Sequence, residues 1–398
     1  MKEDAGSRFA LVRRLLTLVS AIVLLESTFF AVLAPLLPYY EDEFGLSTSA
    51  LGALSAVYAL GGLVGAIPSG LLAVRVGVKA TVLAGLAIIV ATSVAFGLAE
   101  SAWVLYAARF GQGVGSAFAW TGGLAWLIAA SPRDRRGELI GIAMGSAIAG
   151  ALLGPVLGGV ASVVGPAPAF ATVAAVGIAL GVWAWATPAF KPADEPQALA
   201  DLRRAPRVRE VVSGFWLVSL AAFLLGVISV VAPLRLDELG WGALGISAAF
   251  LISAGIEAAL SPFIGRWSDR HGRLAPVRGG LVAAIGVSLV IPWVDLPWPY
   301  LLLVIVAGVA YGVNWVPGTA LLSDGAEKAG LDQGFGFALL NLAWAPANVV
   351  GAALGGVLAQ AAGDAAAYLV AAALCVVTLV AAQRAVFRGA AAPETGSA

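Results

Sequence analysis

Twelve apolar runs, each roughly 20 residues or longer, constrain this chain more than any other feature: a run of that length spans the hydrocarbon of a bilayer as a helix. They fall at Arg14 to Pro38, Thr48 to Val74, Ala80 to Ala99, Ala102 to Ala130, Leu139 to Val164 and Pro168 to Pro188. The second set is Val212 to Leu234, Ala243 to Ile264, Pro276 to Val294, Trp298 to Leu322, Gly334 to Ala362 and Ala365 to Gln383. With 60% hydrophobic and 12% charged residues in 398, the expected class is an all-α integral membrane protein. The first run is not read as a cleaved leader, because it is long enough to span and carries Glu26 at its middle.

Charge sets the expected orientation. Of 23 Lys and Arg, all but Arg109 and Arg235 fall inside when both termini are cytoplasmic, and the outer loops are acidic instead. The expected place is the cytoplasmic (inner) cell membrane, crossed many times. Zero net charge gives no sign of a nucleic-acid partner, and one Cys with one His makes metal or thiol chemistry implausible; no cofactor is expected.

The chain also repeats itself. The charged loop Gly265-Arg-Trp-Ser-Asp269-Arg270-His-Gly272-Arg273 is echoed 195 residues earlier, pairing Gly70/Gly265, Arg75/Arg270 and Gly77/Gly272. Pro38/Pro233, Asp42/Asp237 and Trp120/Trp315 keep that offset, and Gly154/Gly351, Gly158/Gly355 and Gly159/Gly356 continue it at 197. Six spans per half is an even number, so the halves insert the same way up, as parallel repeats around a central cavity. The expected organisation is a six-helix bundle over 1–187, a cytoplasmic linker over 188–210, a second bundle over 211–388 and a disordered tail over 389–398. Glycine at the first loop position is expected to let two helices approach closely, and Asp269 to cap or face a helix N-terminus.

On these residues the chain resembles the major facilitator superfamily, most closely its twelve-span drug:proton antiporter branch, which includes vesicular-amine-transporter-like members. Gly70 to Lys79 and Gly265 to Arg273 are similar to the family's two loop motifs. Arg109-Phe-Gly-Gln112-Gly113 resembles the motif whose arginine the family links to proton coupling. Gly150, Gly154, Pro155, Gly158 and Gly159 resemble the antiporter motif of span 5. Glu26 falls where the family commonly has an acid in span 1. The resemblance implies alternating access, with Val74 standing where the family's first loop has an aspartate that helps hold the halves together. Asp269 is then expected to act alone, against the start of span 5 near Gly137 and Glu138. Small residues four apart also allow plain helix packing, so the spacing of the span-5 motif alone leaves that reading open.

Charges inside a bilayer cost several kcal/mol unless paired or hydrated, which makes Glu26, Arg109 and Glu257 the proton-coupling candidates. Glu26 lies 12 residues past Arg14, about 18 Å into the membrane at about 1.5 Å per residue. It either forms a permanent ion pair with Arg109 or an exchangeable one, in which the buried carboxyl holds a proton until the arginine or an arriving cation makes it let go; the exchangeable pair is favoured, since a permanent one is a costly substitute for leucine. Glu257 shares a helix face with Ser253 and Ser261, facing either the cavity or a hydrated vestibule.

The expected cavity set is Tyr58, Gln112, Trp120, Tyr311, Asn314, Trp315, Asn341, Trp344 and Asn348. Asn341, Trp344 and Asn348 recur on one face of span 11, and the tryptophans serve equally well as packing or interfacial anchors.

The expected function is proton-coupled efflux of a small lipophilic or cationic molecule, with drug resistance as its cellular effect. The alternative is proton-symport or facilitated uptake of a sugar-like or organic nutrient. A membrane-embedded lipid-modifying enzyme is a remote third, without a Ser/His/Asp set or phosphate-cradling loop to support it. A channel is disfavoured by the repeat. Partners are the substrate, protons and lipid, and one chain is expected to suffice as a monomer.

Overall fold

The computed structural model describes residues 2–131, 135–189, 199–331 and 333–383; the expected tail at 389–398 and residues 190–198 of the expected linker lie outside them. Fourteen helices run in order: α1 Lys2–Ala31, α2 Leu37–Phe44, α3 Thr48–Arg75, α4 Val78–Gly97, α5 Ala102–Ala130, α6 Arg136–Val164 and α7 Pro166–Trp185. Then follow α8 Arg209–Glu238, α9 Gly242–His271, α10 Leu274–Val290, α11 Pro297–Gly312, α12 Trp315–Lys328, α13 Gln333–Ala362 and α14 Asp364–Gln383. No strand occurs among the described residues. Among the described residues twelve segments are long and apolar enough to cross a membrane, making this a multi-pass integral membrane protein.

Two of the spans are broken, each at a proline. A proline has no N–H and its ring crowds the carbonyl four residues back. Pro35 does this to Ala31, where α1 stops; a 3₁₀ turn over Ala34–Leu36 links it to α2. Pro317 does it to Val313, at the junction of α11 and α12. The tenth apolar run, read in sequence as one span, is therefore two helices.

The chain divides into two compact units. The first holds residues 1–39 and 57–195; the second holds 40–56 and 196–398. Residues 40–56 thus group with the second unit, although their position in sequence is that of the first half. Within the second unit, the Ser49 N–H donates to Gln360 Oε1 at 3.0 Å. A Cβ on Gly52 would stand 2.7 Å from the Ala352 carbonyl oxygen.

The repeat reappears as packing inside each unit. In the first, α1 lies on α6: a Cβ on Gly154 would meet Ala31 and the Thr28 carbonyl, and one on Gly158 would collide with the Val32 carbonyl. In the second, α8 lies on α13: a Cβ on Gly351 would collide with the Phe223 carbonyl, and one on Gly355 would stand 3.1 Å from Val227 Cα. Thr28/Phe223 and Val32/Val227 are each 195 residues apart. The same contact is built twice because absent side chains at matching places let two backbones meet.

Candidate functional site

The break in α1 explains the site of the first unit. A helix ends with carbonyls that have no intrahelical partner and with the negative end of its dipole. Arg109 of α5 fills that place: Nη1 donates to the Phe29 carbonyl at 2.7 Å and Nη2 to the Phe30 carbonyl at 3.2 Å. Nη1 also donates to Gln112 Oε1 at 3.1 Å, and the guanidinium carbon stands 4.5 Å over the Tyr58 ring. Arg109 is 1% exposed, so a cation is held in an apolar bundle by a helix C-terminus, an amide oxygen and an aromatic face.

Glu26 lies one turn earlier on α1 and is 2% exposed. Neither carboxyl oxygen has a hydrogen-bond partner among the described residues. Ser116 of α5 faces the carboxyl without closing a well-formed bond to it. Tyr58 Oη reaches the Glu26 backbone carbonyl at 3.4 Å. Gln112 Nε2 and Trp120 Nε1 are buried donors that also lack partners. The interior thus holds a carboxyl, an amide N–H and an indole N–H awaiting hydrogen bonds. Such groups are costly to leave unmade and are suited to a ligand, a water or a proton.

Arg109, Gln112, Ser116 and Trp120 share one face of α5 at i, i+3, i+7 and i+11. Ser116 escaped the sequence reading, although this spacing marked it. Close approach of α3 to α5 positions Tyr58: a Cβ on Gly113 would collide with the Tyr58 carbonyl and one on Gly61 with that of Phe110. The antiporter-like glycines Gly150, Gly154 and Gly158 pack on Leu24 through Pro35, and Thr28 Oγ1 donates to the Gly150 carbonyl at 3.1 Å. Three sequence motifs from spans 1, 4 and 5 therefore meet at the α1 break.

In the second unit Glu257 lies against α11. A Cβ on Gly312 would collide with its carboxyl, and one on Gly308 with Ser253 Oγ. The α9 stripe of Ser253 and Glu257 thus fits a matching notch of two glycines four apart, a pairing no single helix pattern displays. Ser261 Oγ donates to the Glu257 carbonyl at 2.8 Å.

The remaining residues of the expected cavity set have separate surroundings. Asn314, at the helix break, is 0% exposed and both its side-chain polar atoms lack partners. Trp315 and Trp344 are partly buried, and Asn341 is exposed. Asn348 donates to the Ala222 carbonyl of α8 at 3.3 Å and is a packing tie. Tyr311 sits in the core, its hydroxyl 2.7 Å from Ser288 Oγ.

The loop motifs differ in part from expectation. A Cβ on Gly70 would meet nothing within 4 Å, and one on Gly265 only Val316 Cγ1 at 3.9 Å. The close helix approach expected at these glycines is therefore absent, because both stand on open faces of α3 and α9. Gly77 and Gly272 do have a glycine's task, turning the chain at φ 119° and 83°. Asp269 accepts from Arg273 at 2.6 Å, and Arg273 also reaches Asp324 of α12 at 3.1 Å. Asp324 is a member of this network that sequence alone did not single out. Arg75 and Arg270 are exposed, and Glu138 pairs with Arg135 at 2.9 Å. Among the described residues no group of three or more His, Cys, Asp or Glu side chains is arranged to hold a metal.

A twelve-span helical protein with a duplicated six-span pattern and a buried acid and base is a transporter by architecture. The Major Facilitator Superfamily profile matches residues 19–334, and the chain belongs to that family of secondary transporters; it is not an enzyme. Over 141 residues it is 35% identical to a probable vesicular acetylcholine transporter-B of Danio rerio, an alignment covering 33% of this chain and 29% of that protein. Three solved folds are similar to it nearly end to end. A bacterial homologue of the human lysosomal transporter Spinster, inward-facing and unoccupied, gives TM-score 0.74 at 16% identity over 98% of this chain and 99% of that one. A nucleoside transporter gives 0.74 at 14% over 95% and 99%. A D-xylose–proton symporter gives 0.72 at 17% over 97% and 99%.

Proposed function

We propose that this protein exports a small lipophilic or cationic molecule in exchange for protons, by alternating access, with Glu26 as the proton-exchanging group. The observation that carries the reading is the buried Glu26 carboxyl without a hydrogen-bond partner, one turn from an Arg109 whose charge is already met by the Phe29 and Phe30 carbonyls. An acid so placed is free to change protonation without breaking a structural bond, which a proton carrier needs and a structural pair does not.

Cargo and proton share the site by charge. A cation arriving beside Glu26 favours the carboxylate and releases a proton, and a returning proton displaces the cation. Trp120, in the same unit, supplies an aromatic group for such a cargo; Glu257, in the second unit, is a further candidate for proton coupling by its place within a span. The Danio rerio relative is named for acetylcholine, a quaternary ammonium, and its partial match supports this class without naming the substrate. The same reading takes the protein as a monomer in the inner cell membrane with both termini cytoplasmic, as the basic loops indicate.

The test is a panel of lipophilic amines, quaternary ammonium ions, sugars and nucleosides in proteoliposomes with an imposed pH gradient. Uphill amine efflux that a protonophore abolishes is the expected result. Accumulation of a sugar or nucleoside with protons, or transport of anions alone, would overturn the proposal in favour of uptake or another cargo.

A further inference from the structure

The outer face of the first unit carries an apolar groove of about 490 Å³ between α4 and α7, a volume typical of small-ligand sites at about 300–1,000 Å³. The two helices touch at Gly177, where a Cβ would stand 2.7 Å from Val90 Cγ2. One turn later they have parted, and a Cβ on Gly181 would meet nothing within 4 Å. Ala87 and Ala91 keep the opposite wall low, and Trp185, 71% exposed, stands at the open end.

That open end is also positively charged. Lys79 Nζ donates to the Trp185 carbonyl at 2.6 Å and to the Thr187 carbonyl at 2.8 Å, which fixes an ammonium at the C-terminus of α7. An ammonium has three N–H groups, and the two carbonyls take two. Arg75, four residues earlier, is exposed. A tryptophan beside a lysine at the end of a span marks the headgroup level of a bilayer.

We propose that this groove binds one anionic phospholipid of the bilayer, with an acyl chain along Gly181 and Ala87 and the phosphate meeting Lys79. The shape suits an acyl chain: the lining is an apolar strip over about two turns of each helix, from Leu83 to Ala91 and from Gly177 to Trp185, with small residues along its floor. The charge selects the headgroup, since a basic pocket between spans draws anionic lipid. The site is separate from Glu26 and Arg109 and does not depend on the coupling reaction.

The full-length protein is placed in nanodiscs of phosphatidylcholine doped with photoreactive-chain phosphatidylglycerol, or with the same chain on phosphatidylcholine, and labelled residues are mapped. Labelling at α4 and α7 is expected to favour phosphatidylglycerol. Gly181→Phe, which extends into open space, is expected to cut it about tenfold, the loss of contact with about two methylenes. Gly141→Phe, at a glycine with equally open surroundings on α6, is expected to leave it unchanged. Lys79→Gln is expected to abolish the headgroup preference while chain labelling persists, and Lys79→Arg to retain both. Wild-type labelling in Gly181→Phe, equal labelling by the two lipids in wild type, or a Gly181-centred cross-link between two copies would each overturn the site.

Discussion

Arg109 Nη1 donates to the Phe29 carbonyl at 2.7 Å, so the buried cation of span 4 is the cap of a broken span 1. Removing it leaves the Phe29 and Phe30 carbonyls without their donor. Arg109→Ala is expected to abolish transport and to destabilise the fold by about 1–3 kcal/mol, the cost of leaving buried acceptors unmade. Arg109→Lys, with a point charge in place of a planar fork, is expected to fold better than Ala and still transport poorly. Thermal unfolding in detergent and initial transport rates together check this, and full activity in either variant would contradict it.

The glycine contacts predict a graded series. Gly158→Val drives a side chain into the Val32 carbonyl, and Gly355→Val crowds Val227 in the matching place. Both are expected to lower stability by about 1–3 kcal/mol, Gly158→Val more. Gly141→Ala, in open surroundings, is expected to be neutral or slightly stabilising, because alanine is the better helix former. Unfolding midpoints of the purified variants decide the order.

Arg273 joins Asp269 to Asp324, whose side chains are 65% and 47% exposed. Exposed pairs of this kind are worth about 0–1 kcal/mol, so Asp269→Asn and Asp324→Asn are expected to fold normally. Transport is expected to fall clearly in Asp269→Asn, and far more than Val74→Asp raises it. Equal and negligible effects in a vesicle assay would leave the network a surface ornament.

Glu257 fits its notch by size as well as charge. Glu257→Gln keeps the shape against Gly312, and is expected to weaken preference for cationic over neutral substrates at unchanged stability. Competition between a quaternary amine and its neutral isostere measures this. An unchanged ratio would assign Glu257 to packing.

Much of this was legible in the residues. Span lengths follow from bilayer thickness, and the fourth run, Ala102 to Ala130, is the helix itself. The Gly154/Gly351 and Gly158/Gly355 repeat reappeared as equivalent contacts, since a glycine pattern records where backbones touch. Hidden from sequence were relations between helices. The periodicity of α5 shows that Arg109 and Ser116 share a face, and not that the face meets the carbonyls left by Pro35. Likewise Glu257 and Gly312 are 55 residues apart, and Asp269 and Asp324 likewise, so only the folded bundle brings them together.

The measurement closest to the centre of the account is proton flux and substrate flux recorded together in proteoliposomes, for wild type and Glu26→Gln. Wild type is expected to move protons against substrate. In Glu26→Gln, an uncharged near-isostere, proton movement and uphill efflux are expected to vanish while substrate-for-substrate exchange persists. Undiminished proton-driven efflux in Glu26→Gln would contradict the account and leave Glu26 a structural residue.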